Sequence, residues 1–293
     1  MTTRTSAKSL PESGPSIVRR DRRALVSHSR EDSRASEARG EPFTIATWEP
    51  IDLSQALLVM GFPSIGLVGS IATSHLIKSL QLREVGSILS PVFPPTAVVR
   101  DGVCASPVRI YLGDLVCGPD GSCAQLSVVH SDIAPKPGSI AGLVQTLVSW
   151  ANEHRARQIV CLEGLESDDL HSEEVRVFGA ASDPSGLRLF ERLGVTPLDN
   201  GLLTGIGGVA LYVARATELP ALCLLAATRK DFPDARGAAR LLEVLQPLVP
   251  LVSIDERPLY VQAQILEATF REQIERSSRA AKGLSGQADM MFG

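Results

Sequence analysis

Residues 1–41 hold no aromatic residue, and their Ser, Thr, Arg and Glu cannot bury enough apolar surface to offset the entropy of ordering. They are expected to form a disordered tail, with Arg19, Arg20, Arg22 and Arg23 diluted by Asp21, Glu31, Asp32 and Glu37. No apolar run reaches the roughly 18 to 20 residues that a membrane-spanning helix needs, and no apolar stretch near the start precedes a small-residue cleavage site. A membrane partner is therefore not expected, and the expected location is cytoplasmic. The formal net charge is −4, so the broad positive field that nucleic-acid binding rests on is lacking. The five cysteines are odd in number and form no CxxC, which points to neither a disulfide framework nor a zinc knuckle. Most are expected to be reduced, with Cys161 and Cys223 as small core residues.

What is present suits a packed α/β protein: 44% of residues are apolar and 21% charged, over a length of 293 that allows one large domain with tails. From about Thr44, β-rich runs alternate with stretches of helical periodicity. Strands are predicted at 56–60, 84–90, 96–100, 108–113, 124–130, 157–162, 174–179 and 221–227, several of them continuous apolar runs of the kind buried on both faces. Gly118-Pro119-Asp120-Gly121 is a turn signal that would join 108–113 to 124–130 as an antiparallel hairpin, so a mixed sheet is expected.

Helices are predicted at 65–80, 138–154, 184–193, 206–217, 234–247 and 257–280. Pro233-Asp234 is a plausible start for the fifth. In the sixth, Leu259, Ala263, Leu266, Phe270 and Ile274 line one face, preceded by the S-x-x-E spacing of a capping box at Ser253 and Glu256. The expected organisation is a tail at 1–41, an α/β sandwich at 42–254, an amphipathic helix at 255–281 that packs on the domain or on a second protomer, and a flexible tail at 282–293.

Two glycine clusters open helices: GFPSIGLVG, which follows a strand and holds Gly61, Gly66 and Gly69, and TGIGG, with Gly205, Gly207 and Gly208. Such loops can bind an anion on backbone N–H groups, or they can permit a tight turn and close packing of helix on sheet. The first lacks the Lys-Ser/Thr pair of a P-loop and the G-x-G-x-x-G order, and Ser64 does not sit in a G-x-S-x-G elbow. A structural role is the favoured reading for both. Glu163, Glu166, Asp168 and Asp169, with His171, could bind a metal or act as acid and base, but carboxylates after a strand are also ordinary solvated loop chemistry, the favoured reading here. His75, His130 and His154 have no recognisable nucleophile partner.

Taken in order, GFPSIGLVGSIATSHLI (61–77), LSPVFPPTAVVRDG (89–102), PVRIYLGD (107–114), GLLTGIGGVAL (201–211) and DFPDARGAARLLEVL (231–245) resemble the proteasome assembly chaperone 2 family, specifically its archaeal-type homologues. The resemblance covers about Ile51 to Ile274. It implies a three-layer α/β/α sandwich similar to the phosphorylase/hydrolase-like fold of purine nucleoside phosphorylases. It also implies a non-enzymatic chaperone with no cofactor, which binds 20S proteasome α-subunits and forms a homo-oligomer or pairs with a paralogue. Family members that engage the proteasome end in a hydrophobic residue, then Tyr, then any residue, and dock this tail between α-subunits. Here the corresponding residues are Met291, Phe292 and Gly293, and Phe292 departs from that pattern by lacking the hydroxyl. Two other readings stay open. One is a phosphorylase-like enzyme holding an anion at Gly61, Ser64, Gly66 and Gly205 to Gly208, with Glu163 or Asp168 as base; the other is a non-proteasomal adaptor.

Overall fold

Strand β2 (Ala56–Gly61, ALLVMG) is buried at every position, as a strand covered on both faces must be. The computed structural model that places it describes residues 42–167, 175–230 and 232–265. Alternation along β2 sends Leu58 and Met60 into one core and Leu57 and Val59 into the other. The remaining first-half elements are β1 (Thr44–Thr47), α1 (Val68–Ser79), β3 (Arg83–Leu89), β4 (Val98–Arg100), β5 (Val103–Ala105), β6 (Val108–Leu112), β7 (Val116–Cys117) and β8 (Cys123–Ser131). There follow α2 (Ile140–Glu153), β9 (Gln158–Glu166), β10 (Val177–Ala181), α3 (Pro184–Leu193), β11 (Thr196–Pro197), α4 (Gly205–Ala216), β12 (Ala221–Thr228) and α5 (Ala235–Leu245). A further helix, α6, occupies 257–265.

Ten strands form one mixed sheet in the order β1-β3-β6-β8-β2-β9-β12-β10-β11, with β7 beside β8. Its centre, β8-β2-β9-β12, is parallel, while β1-β3, β3-β6, β6-β8 and β10-β12 are antiparallel. Helices α2 and α4 bury Leu143, Leu147, Ile206 and Ala210 against one face. On the other, α1 and α5 bury Val68, Leu76, Leu241 and Leu245. The expected three-layer α/β/α arrangement is therefore present. Helix starts follow the sequence signals: Asp234 accepts the Gly237 N–H at 2.8 Å and Asp183, ahead of Pro184, accepts the Ser185 N–H at 2.8 Å.

Several sequence expectations need correction. Strand 174–179 is displaced to Val177–Ala181, and the run 96–100 shortens to β4, which pairs only with β5 outside the main sheet. At the start of α6 it is Asp255, not Ser253, whose Oδ1 receives a backbone N–H, that of Arg257 at 3.3 Å. The hairpin forms as expected, its turn closed by the Gly121 N–H to the Gly118 carbonyl at 3.1 Å, but its cysteines are not reduced thiols: Cys117 and Cys123 are register partners and form a disulfide. Register brings together two cysteines whose sequence spacing carries no recognisable motif. In α6, Leu259 and Ala263 are buried and Val261 and Ile265 exposed. Leu266, Phe270 and Ile274 lie outside the described residues, as do 1–41 and the tail 282–293.

Helix α1 approaches the sheet more closely than any side chain would allow. A Cβ on Gly69 would lie 2.0 Å from the Leu162 carbonyl oxygen of β9, and one on Gly61 2.3 Å from the Gly69 carbonyl oxygen. Both contacts are with backbone, which cannot rotate away, so overpacking at Gly69 has to move the helix. Gly69→Ala is predicted to cost about 2 kcal/mol or more, read as a lower urea midpoint with an unchanged slope. An unaltered midpoint would show that α1 is not held by this approach.

Candidate functional site

All four central parallel strands end at the same edge of the sheet, and the sequence motifs converge there. The loop after β2 turns through Gly66, which has a left-handed φ of +63°, and a Cβ on it would meet Thr228 Oγ1 of β12 at 2.7 Å. At the end of β9, Gly164 lies under this loop, where a Cβ would come within 2.2 Å of the Ile65 carbonyl oxygen. On the opposite face of the sheet the neighbouring Glu163 reaches the start of α4, where its Oε1 accepts the Gly207 N–H at 2.7 Å. Gly205 lies beside the same carboxyl group, and a Cβ on Gly207 would strike Cys223 Sγ at 2.4 Å. Gly208 abuts the Leu203 carbonyl oxygen, 2.1 Å from where its Cβ would be. The two glycine loops thus meet across the end of β9, one on each face.

Glu163 does not belong to a solvated loop, because β9 continues to Glu166 and the Glu163 side chain is buried. Burial pushes its pKa up to about 7, against the smaller downward pull of the Gly207 N–H. Asp168, Asp169 and His171, proposed to join it, lie outside the described residues. Among the described residues no group of three His, Cys, Asp or Glu side chains could hold a metal ion. The buried thiols Cys161 and Cys223 are register partners on the Glu163 side of the sheet, and burial raises both pKa values.

A second cluster lies at the end of β8, and sequence reasoning did not anticipate it. Arg109 of β6 is completely buried and is the cross-strand partner of His130. Its guanidinium donates to Asp132 Oδ2 at 2.6 Å, Tyr111 Oη at 2.7 Å and the Ser106 carbonyl at 2.5 Å. Asp132 Oδ1 lies 3.6 Å from His130 Nε2 and 3.4 Å from Arg100 Nη2. His130 Nδ1 in turn lies 2.9 Å from Thr73 Oγ1 of α1. Burial would raise the Asp132 pKa, but the charges of Arg109, His130 and Arg100 outweigh it and hold the carboxyl below its ordinary value. Burial lowers the His130 pKa to about 4. The visible signal was an arginine inside the apolar run VRIYL, which needs a carboxylate partner once buried; Asp132, at the partly exposed end of His130-Ser131-Asp132, supplies one.

The Asp132–His130–Thr73 line resembles an acid–base relay, but Thr73 is fully buried and its hydroxyl also lies 2.9 Å from the Gly69 carbonyl oxygen. It joins β6, β8 and α1 instead of presenting a hydroxyl to a substrate. Beside it a cleft of about 450 Å³ runs between α1 and α6, lined by Ser70, Ser74, Lys78, Asp132, Leu259 and Gln262. His75 closes one side, its Nε2 2.6 Å from the Asp255 carbonyl oxygen ahead of α6, while His154 bonds the Trp150 carbonyl within its own helix terminus.

Glu163 and His130 give opposite pH signatures. The raised pKa of Glu163 makes its contribution complete below 4.5 and lost as pH rises through about 7. The lowered pKa of His130 makes its contribution complete above 6.5 and lost as pH falls toward about 4. Between these limits the two slopes oppose each other. Glu163→Gln, which keeps the acceptor for Gly207, is predicted to leave the His130 slope alone, so that stability rises with pH by up to about 1.4 kcal/mol per unit where the parent is flatter. Above pH 7 the variant is predicted to exceed the parent. Denaturant titrations across this range check both, and superimposable profiles would contradict the buried-carboxyl assignment.

The model of the PAC2 family matches residues 58–274. An uncharacterized protein of Methanocaldococcus jannaschii is 28% identical over 226 residues, covering 77% of this chain and 88% of that protein. The crystal structure of Pyrococcus furiosus PbaA, an archaeal homolog of proteasome-assembly chaperone, aligns with a TM-score of 0.71 at 26% identity, covering 86% of this chain and all (100%) of that one. Pyrococcus furiosus PbaB, an archaeal proteasome activator, shares the fold with a TM-score of 0.69 at 22% identity, covering 79% of this chain and 98% of that one. The motifs at 61–77 and 201–211 that carry the resemblance are those whose glycines close the sheet edge on β9. The chain belongs to the PAC2 family.

Proposed function

We propose that this chain is a cytoplasmic proteasome assembly chaperone-like protein that binds 20S proteasome α-subunits, partly through its C-terminal tail, and that it acts as a homo-oligomer or with a paralogue. The observation that carries this reading is the family match over 58–274 together with the likeness to PbaA over 86% of this chain. The chemistry of the last residues suits the role. Met291 and Phe292 offer an apolar side chain and an aromatic anchor, and the Gly293 carboxylate offers a charge to a cationic group in a pocket between subunits. Residues 282–290 are proposed as the spacer, and the helix expected at 255–281 is proposed to pack on the domain or on a second protomer through Leu259, Leu266, Phe270 and Ile274. In this reading the glycine loops at Gly61–Gly69 and Gly205–Gly208 are scaffold.

One observation favours a second reading, an enzyme acting on a nucleoside or other small anionic ligand. Glu163 is buried beside Gly205 and Gly207 with its pKa raised to about 7, the range of a general base. Calorimetry with nucleosides, nucleotides and phosphate separates the two: specific micromolar binding that Glu163→Gln abolishes supports the enzyme, and no heat supports the chaperone.

For the tail, deletion of Met291 to Gly293 is predicted to weaken binding to 20S particles about thirtyfold, or about 2 kcal/mol, without moving the melting temperature. A C-terminal tag is predicted to do the same, whereas Phe292→Tyr holds or strengthens binding. Surface plasmon resonance on immobilised 20S particles measures all four proteins. Equal affinities would reject the tail mechanism.

A further inference from the structure

We infer that Cys117 and Cys123 form a thiol–disulfide exchange site whose reaction partners are low-molecular-weight thiols or a thioredoxin-type dithiol. The pair closes the β7–β8 hairpin directly across the register, Cys117 against Cys123, with Val116 against Ala124 beside it. Cys117 is exposed and Cys123 half-buried, so the bond is open to attack from solvent. Exposed disulfides of this kind are the labile ones, whereas the thiols of Cys161 and Cys223 are fully buried and out of reach.

Surroundings give the exchange a consequence. The segment 113–123 (GDLVCGPDGSC) carries Asp114 and Asp120 and no cationic side chain. Asp120 Oδ1 already accepts from the Ser122 N–H at 3.1 Å and from its hydroxyl at 2.7 Å, and the Gly118 N–H donates to the Ser122 carbonyl at 2.8 Å. The turn is thus pre-formed, and the thiols stay close after reduction, which makes reoxidation fast. A Cβ on Gly118 would lie 3.4 Å from Leu251 Cδ2, so the hairpin tip rests on the segment that leads from α5 into α6. The redox state of the hairpin is thereby coupled to the base of the C-terminal helix.

In the step itself, a thiolate from the small thiol attacks Cys117 Sγ, forms a mixed disulfide and expels Cys123 as a thiolate, which takes up a proton. A second thiolate attacks the mixed disulfide at the sulfur of the first thiol and expels Cys117. Two small thiols are oxidised to one disulfide, and the protein disulfide is reduced by two electrons.

The test counts thiols that iodoacetamide alkylates in the folded full-length protein, read by intact mass. Air-equilibrated protein is expected to take one label, on Cys104, the exposed free thiol. Protein held in millimolar glutathione is expected to take three, Cys104 plus Cys117 and Cys123, and to return to one when oxidised glutathione is restored. Denatured and reduced protein takes five, the full cysteine count. Hydrogen exchange at 113–123 and 249–254 is expected to quicken on reduction, by on the order of tenfold at the hairpin, and the Cys117→Ser variant is expected to show the fast rates in both conditions. Three labels in the air-equilibrated protein, or one label until the chain is unfolded, would overturn the proposal.

Discussion

The structure depends on backbone meeting backbone where β2 and β9 end. Gly61, Gly69 and Gly164 leave no room for a Cβ, so the start of α1 lies directly on the Leu162 carbonyl group of β9 and beside that of Phe62. That position sets Thr73 against His130, and through Asp132 it connects to the buried Arg109 of β6. It also sets His75 against the Asp255 carbonyl and places Leu259 of α6 in the same core as Val68, Ala72 and Leu76. A constraint of backbone geometry at one sheet edge is thus transmitted through His130 to the Arg109 network and through His75 to the start of α6.

Among the described residues, the buried charged side chains Arg109 and Glu163 both lie at this edge. Arg109 loses its hydration completely, and three acceptors (Asp132, Tyr111 and the Ser106 carbonyl) replace it. Glu163 has a single backbone donor, and burial leaves it near neutrality. These two answers to a buried charge have different consequences. The Arg109 network locks β6, β8 and α1 together, while Glu163 makes the junction of β9 with α4 sensitive to pH.

The central strands were legible because continuous apolar runs such as ALLVM and ALCLLAA have one reading once helices flank them. The edge strands β1, β5, β7 and β11 were not, since two to four residues carry no periodic signal and owe their state to partners far away in sequence. The glycine loops were recognisable as tight turns, yet their meeting across β9 depends on strand order, which their local sequence does not encode. Glu163 was misread because a carboxylate after four apolar strand residues looks the same whether the chain turns into solvent or continues under a helix. Arg109 and Asp132 lie 23 positions apart in the sequence, and only the register Arg109↔His130 makes them one network.

In the role proposed here, the tail ending in Met291, Phe292 and Gly293 is what the partner binds. The most direct measurement replaces Phe292 with a photoreactive benzoyl-phenylalanine in the full chain, irradiates it with assembled 20S particles and identifies the attachment sites by mass spectrometry. The account predicts cross-links confined to α-subunits at the pocket between neighbours, lost on competition with an excess of the unmodified chain. Cross-links only from probes on the sandwich surface, with none from position 292, would contradict it.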